Sequence, residues 1–416
     1  MADVKHDHAI EEEAEETVEN AAVAAEYFDT GSCGENAIWT LNGPENDLTL
    51  TIYGTGDMDS RYSWEYGWDS RRLEITTVIV EGRITSIGDQ AFEGCENLTR
   101  VSLPDTLTQI GNGSFYYCRS LKSITIPDSV TSIGGAAFLD CGKLTGVNIP
   151  DGITAIYGGT FSGCSDLSGV VLPDSVESIG YYAFYECSSL TSVNIPDNVK
   201  SIEAGAFLGC SKLASIAIPN GVTEIGESAF NGCSSLKGVT IPDGVTSIEY
   251  MTFYDCSALS FAKIGKGVTD IGTYAFTGCT SLSSVNIPAG VSGISDYTFE
   301  GCSSLTSIEI PYGVTTIGEK AFCNCAALAQ VVIPGSVTSI ESSAFRGCGS
   351  LREISIPNGV TYIGHSAFED CKGLLSVEIP DSVTEIADEA FAKCSYLTKV
   401  RIGNGVEFIG TGVFLG

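Results

Sequence analysis

Hydrophobic and polar positions follow a pattern that repeats every 23 residues from about residue 83 to the end of the chain. One repeat begins at Leu190. Val193 and Ile195 are two residues apart, and this spacing predicts a short strand that turns both side chains inward. Ser192 and Asn194 then face outward. The pattern therefore predicts one strand in each repeat, with an apolar side and a polar side.

The rest of the repeat predicts how the chain returns to its starting side. Pro196-Asp197 ends the strand, because proline lacks the ladder N–H and a Pro-Asp pair starts a turn. Ile202 brings the chain back to the core. Phe207 and Cys210 fill the far wall, where cysteine acts as a small apolar residue. Each repeat is thus a closed coil with turns or short helical segments opposite its strand.

The period holds without interruption along the chain. Phenylalanines keep the same step from Phe92 to Phe414. Fourteen cysteines share it: Cys95, Cys118, Cys141, Cys164, Cys187, Cys210, Cys233, Cys256, Cys279, Cys302, Cys325, Cys348, Cys371 and Cys394. Self-similarity of this length indicates stacked coils that share one core. We therefore predict a single elongated solenoid.

The segments before the repeats differ in composition. Residues 1–32 are acidic and predict a disordered tail. Residues 33–82 predict short strands over residues 37–41, 48–53 and 75–80, and we interpret this segment as the cap that a terminal coil needs. Its aromatic residues leave an alternative open, in which Trp64, Tyr66 and Trp68 form a carbohydrate-binding platform.

These residues resemble a known family. L-x-x-V-x-I-P with A-F-x-x-C at a 23-residue period is similar to the BspA-like leucine-rich repeat proteins of bacterial and some protist surfaces. Residues 33–41 and 50–56 also resemble the leader that precedes such repeats in surface proteins of gut Firmicutes. The resemblance implies a curved, β-rich leucine-rich repeat solenoid with a parallel sheet. It also implies a role in adhesion, and it supplies no catalytic residues.

Both ends of the chain differ from a complete member of that family. The start is charged where a secretory signal would be apolar, so the chain is either cytosolic or a piece of an exported protein. The solenoid, residues 83–416, stops before the fifteenth cysteine position. We therefore expect the C-terminus to be truncated, since an uncapped coil exposes its core.

Charge and composition exclude several kinds of function. The net charge of −31 argues against binding to nucleic acid or to anionic membranes, which require lysine and arginine clusters. No apolar stretch is long enough to cross a bilayer. Three histidines, two of them at positions 6 and 8, cannot supply a catalytic set. We therefore predict no enzyme activity and no cofactor.

The cysteines predict buried free thiols. Neighbouring coils would present parallel Cβ vectors, whereas a disulfide needs them turned toward each other. Cys323-Asn324-Cys325 is the only close pair, so zinc binding is not expected. Cys33 and Cys323 lie outside the periodic series. We predict that these two thiols are the most reactive.

Aspartate follows the turn proline in many repeats. It does so at Asp105, Asp128, Asp151, Asp174, Asp197, Asp243 and Asp381. Aspartate suits this turn, and we prefer that interpretation. Stacked carboxylates that bridge calcium are the alternative.

The outward strand positions are the candidate ligand-binding residues. Asn194, Thr240, Ser284 and Asn286 form a polar side of low charge. One repeat departs from this pattern, because its strand carries an outward aromatic residue and a lysine: Phe261 and Lys263. Drift of the repeat sequence explains this departure equally well. We predict that these six residues contact the ligand. A second patch on the flank, at Tyr181, Tyr182, Tyr274 and Tyr297, is a further hypothesis. Packing over neighbouring coils is the alternative for these tyrosines, and it is the interpretation that we prefer.

We therefore expect a monomeric, extracellular cell-surface module. It would bind host matrix proteins, host cells or glycans over many coils rather than in one deep pocket. Two alternatives remain open. The repeats could be a spacer that projects another domain, or the chain could be an intracellular protein-interaction scaffold.

Overall fold

The protein is described by a computed structural model that covers residues 27–416. It is a single elongated parallel-strand solenoid, as the period predicts. The 23-residue coils stack in register, so that Val170 pairs with Val193 one coil later. Most of the predicted acidic tail, residues 1–26, lies outside the described residues.

Every coil except the one that contains residues 213–218 has the predicted strand, and together these strands form what we call the first ladder. Val193 and Ile195 are buried while Ser192 and Asn194 are exposed, as the alternation predicts. The strands after Ile75–Val80 are Arg100–Ser102, Ser123–Ile124, Gly146–Val147, Gly169–Val171, Ser192–Asn194, Gly238–Thr240, Phe261–Lys263, Ser284–Val285, Ser307–Glu309, Gln330–Val332, Glu353–Ser355, Ser376–Ile379 and Lys399–Ile402. Their exposed outer side is the strand face.

A second ladder of short parallel strands forms another side of the solenoid. It contains Arg83–Ile87, Gln109–Ile110, Ser132–Ile133, Ala155–Ile156, Ser178–Ile179, Ser201–Ile202, Glu224–Ile225, Ser247–Ile248, Asp270–Ile271, Thr316–Ile317, Ser339–Ile340, Tyr362–Ile363, Glu385–Ile386 and Phe408–Ile409. The alternation of apolar and polar residues predicts only the first ladder. All of these strands except Arg83–Ile87 are two residues long. That length is too short for an alternating pattern, so only the pairing between coils defines them.

The third side of each coil is a turn segment, the turn side. It contains two backbone positions with positive φ, such as Tyr182 (φ 52°) and Glu186 (φ 55°). Its main chain also pairs between coils, since Phe207 N–H donates to the carbonyl of Ala229 at 2.8 Å. Polar backbone groups are therefore satisfied on all three sides, although this side is not helical.

The core is a column of phenylalanine rings lined by thiols. Neighbouring rings from Phe92 to Phe414 have centroids 5.0–5.6 Å apart. Each periodic thiol after Cys95 donates a hydrogen bond to the phenylalanine carbonyl of the preceding coil, at 3.1–3.3 Å. Cysteine therefore contributes a weak donor as well as apolar volume.

The N-terminal segment is built from strands that lead into the coils. Antiparallel strands Tyr27–Ser32, Ala37–Gly43 and Leu48–Asp57 pair in order, and Ile75–Val80 then pairs in parallel with Leu48–Asp57. The prediction of disorder through residue 32 is thus wrong for residues 27–32. That strand pairs residue by residue with its neighbour, a partner that the acidic composition of the tail could not indicate.

Aromatic side chains cover the first coil. Trp68 stacks on Phe92 with centroids 6.2 Å apart, and it contacts Trp39 edge-on at 5.5 Å. Tyr66 and Trp68 are buried, so the alternative of a carbohydrate-binding platform is wrong for both residues. Trp64 alone of the three is exposed. The intervening 3-10 helices are Ser63–Glu65 and Asp69–Glu74.

The last coil exposes apolar side chains. Val400 and Ile402, at positions that are buried in the preceding coils, are 39% and 40% exposed. Phe408 and Phe414 are also exposed at this end. A coil with one neighbour covers only one of its two faces, which accounts for the difference.

Candidate functional site: the strand face

Three adjacent strands bring the predicted aromatic and basic residues together. Phe261 lies between Gly238 and Ser284 in the parallel register, and Lys263 lies beside Thr240. All four side-chain-bearing residues are exposed, whereas Ala262 between the two outward positions is buried. The sequence pattern therefore places Phe261 and Lys263 on one surface.

The Phe261 ring lies against the backbone of the preceding coil. A Cβ atom added at Gly238 would be 2.1 Å from the ring. Any larger residue at position 238 would therefore displace the ring. Phe261 is still 49% exposed, so it combines a fixed position with an accessible surface. A fixed aromatic side chain can contribute binding energy with little further loss of side-chain entropy.

The basic residues of this repeat differ in their contacts. Lys266 forms an exposed ion pair with Asp243 at 3.5 Å. The Lys266 backbone N–H also donates to that carboxylate at 3.0 Å and holds the pKa of Asp243 below its usual range. Lys263 is exposed at an outward strand position, beside Thr240 of the preceding coil. It is the basic side chain next to Phe261 on the strand face.

The exposed side chains of Asn194 and Asn286 form hydrogen bonds with the main chain. Asn194 accepts from Leu172 N–H and donates to Leu172 C=O, both at 2.9 Å. Asn286 makes the same pair of bonds with Ile264, both at 2.8 Å. Each amide thus extends the first ladder where the strand has ended. These main-chain hydrogen bonds account for both asparagines without a ligand.

A groove on the strand face lies nearer the C-terminus. It measures about 1260 Å³ and is lined by outward residues of four coils, including Gln330, Arg352, Glu353, Glu378 and Arg401. Arg401 pairs with Glu378 at 2.5 Å while both side chains remain exposed. The groove is therefore charged, unlike the serine- and glycine-rich strands before it.

The repeat pattern does not by itself predict this groove. The signal was present, because outward positions change from small polar residues to charged ones in the last coils, at Glu353, Glu378 and Arg401. The depth of the groove depends on how successive coils are arranged, which the repeat pattern does not specify. Arginine is enriched where protein surfaces bind tightly, so the groove joins Phe261 and Lys263 as part of the candidate site.

The flank tyrosines occupy the turn side. Tyr274 and Tyr297 stack on each other with centroids 4.5 Å apart, which agrees with packing over neighbouring coils. Tyr181 and Tyr182 are instead 61% and 49% exposed. The predicted patch is thus two clusters with different environments.

The thiols are buried and free throughout residues 27–416. Burial raises the pKa of Cys33 to about 12, and of Cys394 to about 11. The prediction that Cys33 is especially reactive is therefore wrong, since the thiolate is the reactive form. Cys323 is only 4% exposed, and burial raises its pKa as well. Periodicity could not show that these two positions are covered.

The aspartates after the turn proline stay exposed, as at Asp128 and Asp151. Within residues 27–416, no three acidic, histidine or cysteine side chains are grouped so that they could hold a metal ion. None of the helices in this part of the chain has the length and apolar content needed to cross a membrane.

Comparison with known proteins identifies the repeats. The family model described as "BspA type Leucine rich repeat region (6 copies)" matches residues 70–190, 177–306 and 292–416. No curated protein matches the chain.

Solved structures show similar folds. A leucine-rich repeat protein from Bacteroides ovatus is 28% identical, over 91% of this chain and 90% of its own, with a TM-score of 0.70. One from Eubacterium ventriosum is 26% identical, over 83% of this chain and 95% of its own, with a TM-score of 0.52. A leucine rich cell surface protein from Faecalibacterium prausnitzii is 25% identical, over 91% of this chain and 94% of its own, with a TM-score of 0.43. The repeat pattern, the stacked coils and the family match agree, and the chain belongs to the BspA-type leucine-rich repeat family.

Proposed function

We propose that the chain is an adhesion or recognition module that binds a protein or glycan ligand through its strand face. The observation that carries this proposal is the exposed outer surface of the first-ladder strands, which includes the 1260 Å³ groove. Such a surface presents variable side chains on a fixed frame and suits binding better than catalysis. We propose a location outside a bacterial cell, where ligands of host or neighbouring cells are accessible.

Two parts of the strand face supply the strongest contacts. Phe261 and Lys263 form an exposed aromatic-basic pair, and Arg352 and Arg401 line the groove. Aromatic and arginine side chains dominate the binding energy of many interfaces. The small polar residues between them allow close approach of a ligand. Binding is therefore distributed over several coils, and a monomer is sufficient for it.

The test is a binding screen with the full chain against fibronectin, collagen, mucin and a glycan array. The screen is run once with calcium and once with chelator, which also tests whether the aspartates after the turn proline bind calcium. For any saturable ligand, Lys263→Glu and Arg401→Glu should each weaken binding by about fivefold or more, since loss of about 1 kcal/mol corresponds to that factor. Calcium should have no effect on the affinity.

Lys212→Glu is the matched control. It makes the same charge change at an exposed turn next to Leu213, away from the strand face. A ligand whose affinity falls equally in all three variants senses only net charge, and this result would contradict the proposal. Absence of any saturable ligand from folded protein would favour a spacer that projects another domain.

A further inference from the structure

A pocket on the turn side is lined by tyrosine and leucine. It measures about 660 Å³, and its walls include Leu139, Tyr181, Tyr182, Tyr185 and Leu208. The rings of Tyr182 and Tyr185 are nearly perpendicular, at 83°, with centroids 5.6 Å apart. The two rings therefore pack edge to face, and Tyr181 remains exposed beside them. We call this the tyrosine pocket.

Tyr182 lies at a coil position where the backbone has a positive φ. Its φ of 52° lies in the left-handed region, and the equivalent positions one coil before and after are Gly159 and Gly205. The Tyr182 ring occupies the space above Gly205, where an added Cβ would be 2.3 Å from the ring. Other coils also place large residues at this position, such as Met251 and Tyr297. The glycine one coil after Tyr182 therefore leaves the space in which its ring lies over the next coil.

The charges around the tyrosine pocket are acidic. The Tyr181 backbone N–H donates to the Glu203 carboxylate at 3.1 Å, which places a negative charge at the rim. Asp140 and Glu186 directly follow lining residues in the chain. Residues 136–208 contain two basic side chains, Lys143 and Lys200, and neither lines the pocket. The pocket thus combines aromatic ring faces with a negative rim.

We propose that the tyrosine pocket binds a lysine side chain of a partner protein. The apolar walls would cover the aliphatic stem, while the ammonium group would lie against the tyrosine faces and the carboxylate rim. A neutral apolar side chain would fill the same volume but gain nothing from the rim. This site lies on a different side of the solenoid from the strand face, so it does not depend on the function proposed above.

The test uses four pentapeptides, Gly-Gly-X-Gly-Gly with blocked ends, in which X is lysine, norleucine, ε-N-acetyllysine or glutamate. Dissociation constants for the full chain are measured by saturation-transfer NMR at about 0.15 M salt, where long-range attraction is screened. The lysine peptide should bind about fivefold more tightly than the norleucine and acetyllysine peptides. The glutamate peptide should not bind.

Tyr182→Gly tests the site without disturbing the coil, because glycine occupies the equivalent position in both neighbouring coils. It should weaken lysine binding at least fivefold while the melting temperature stays equal or rises. Tyr297→Gly is the matched control, since it makes the same change at the same coil position (φ 59°) outside the pocket. It should leave the affinity unchanged.

Three results would overturn the proposal. Norleucine could bind as tightly as lysine, which would identify a purely apolar site. The lysine peptide could bind Tyr182→Gly as tightly as the unmodified chain, which would identify general attraction to an acidic protein. The lysine peptide could also fail to bind the unmodified chain at all.

Discussion

The thiol column should make the fold sensitive to alkaline pH. Burial raises the pKa of Cys95 to about 12, and the same cause raises the pKa of each later thiol in the series. In the unfolded chain a cysteine has a pKa of about 8.5. The folded state therefore binds more protons between these values, so the free energy of unfolding falls as pH rises above about 8.5. Below that pH the contribution is fully present.

The magnitude follows from the number of thiols. At pH 9.5, one unit above the unfolded pKa, each thiol that stays protonated in the fold lowers the free energy of unfolding by about 1.4 kcal/mol. Fourteen periodic cysteines share this environment. Complete unfolding should therefore become easier by about 19 kcal/mol between pH 7.5 and 9.5. This is a large fraction of the stability of a chain of this length, at roughly 0.05–0.15 kcal/mol per residue.

The assay is equilibrium unfolding in urea at both pH values, with reductant present. Cys233→Ser is the matched variant, because serine does not titrate in this range. The substitution itself changes the free energy of unfolding equally at both pH values. Between them, the free energy of unfolding of the variant should therefore fall by about 1.4 kcal/mol less than that of the unmodified chain. A total change below about 5 kcal/mol, or an identical change in the variant, would refute the reasoning. Either result would mean that thiolates form inside the folded coils.

Two further predictions concern contacts between coils, both measured by urea unfolding. Phe230→Ala should cost about 4 kcal/mol or more, because this ring is fully buried and stacks on two neighbours at 5.5 Å. Phe414→Ala should cost less than about 2 kcal/mol, because that ring is 40% exposed and has one neighbour. Equal losses would show that the column does not stabilise the stack. Asn194→Ala should cost about 1–2 kcal/mol, because it leaves Leu172 N–H and C=O unpaired. Thr240→Ala, at the equivalent position two coils later, is its control. A similar loss of stability there would exclude the Asn194 hydrogen bonds as the cause.

Much of the architecture was predictable because every coil meets the same environment. The inward positions of Val193, Ile195 and Phe207 follow from their spacing, and all three are buried. The resemblance to the family indicated the same fold, and the family match confirms it. The second ladder was missed because all but its first strand are two residues long.

The candidate site was predictable only in part. Phe261 and Lys263 were found because they break the repeat, and the structure places them on one exposed surface. The groove around Arg401 was missed, since a groove depends on the arrangement of successive coils. Trp68 and Cys33 were misjudged because their burial depends on contacts made by the cap.

The sequence by itself determined the path of one coil and the order in which coils stack. A fixed period of apolar residues specifies which side chains turn inward, and identical coils can bury that face only against each other. The tertiary structure alone decided the contacts between residues 22 to 26 positions apart. These include the Phe261 ring above Gly238, the Asn194 amide on Leu172 and the thiol donors on phenylalanine carbonyls. Such contacts depend on atomic distances between neighbouring coils, and a repeat pattern contains no distances.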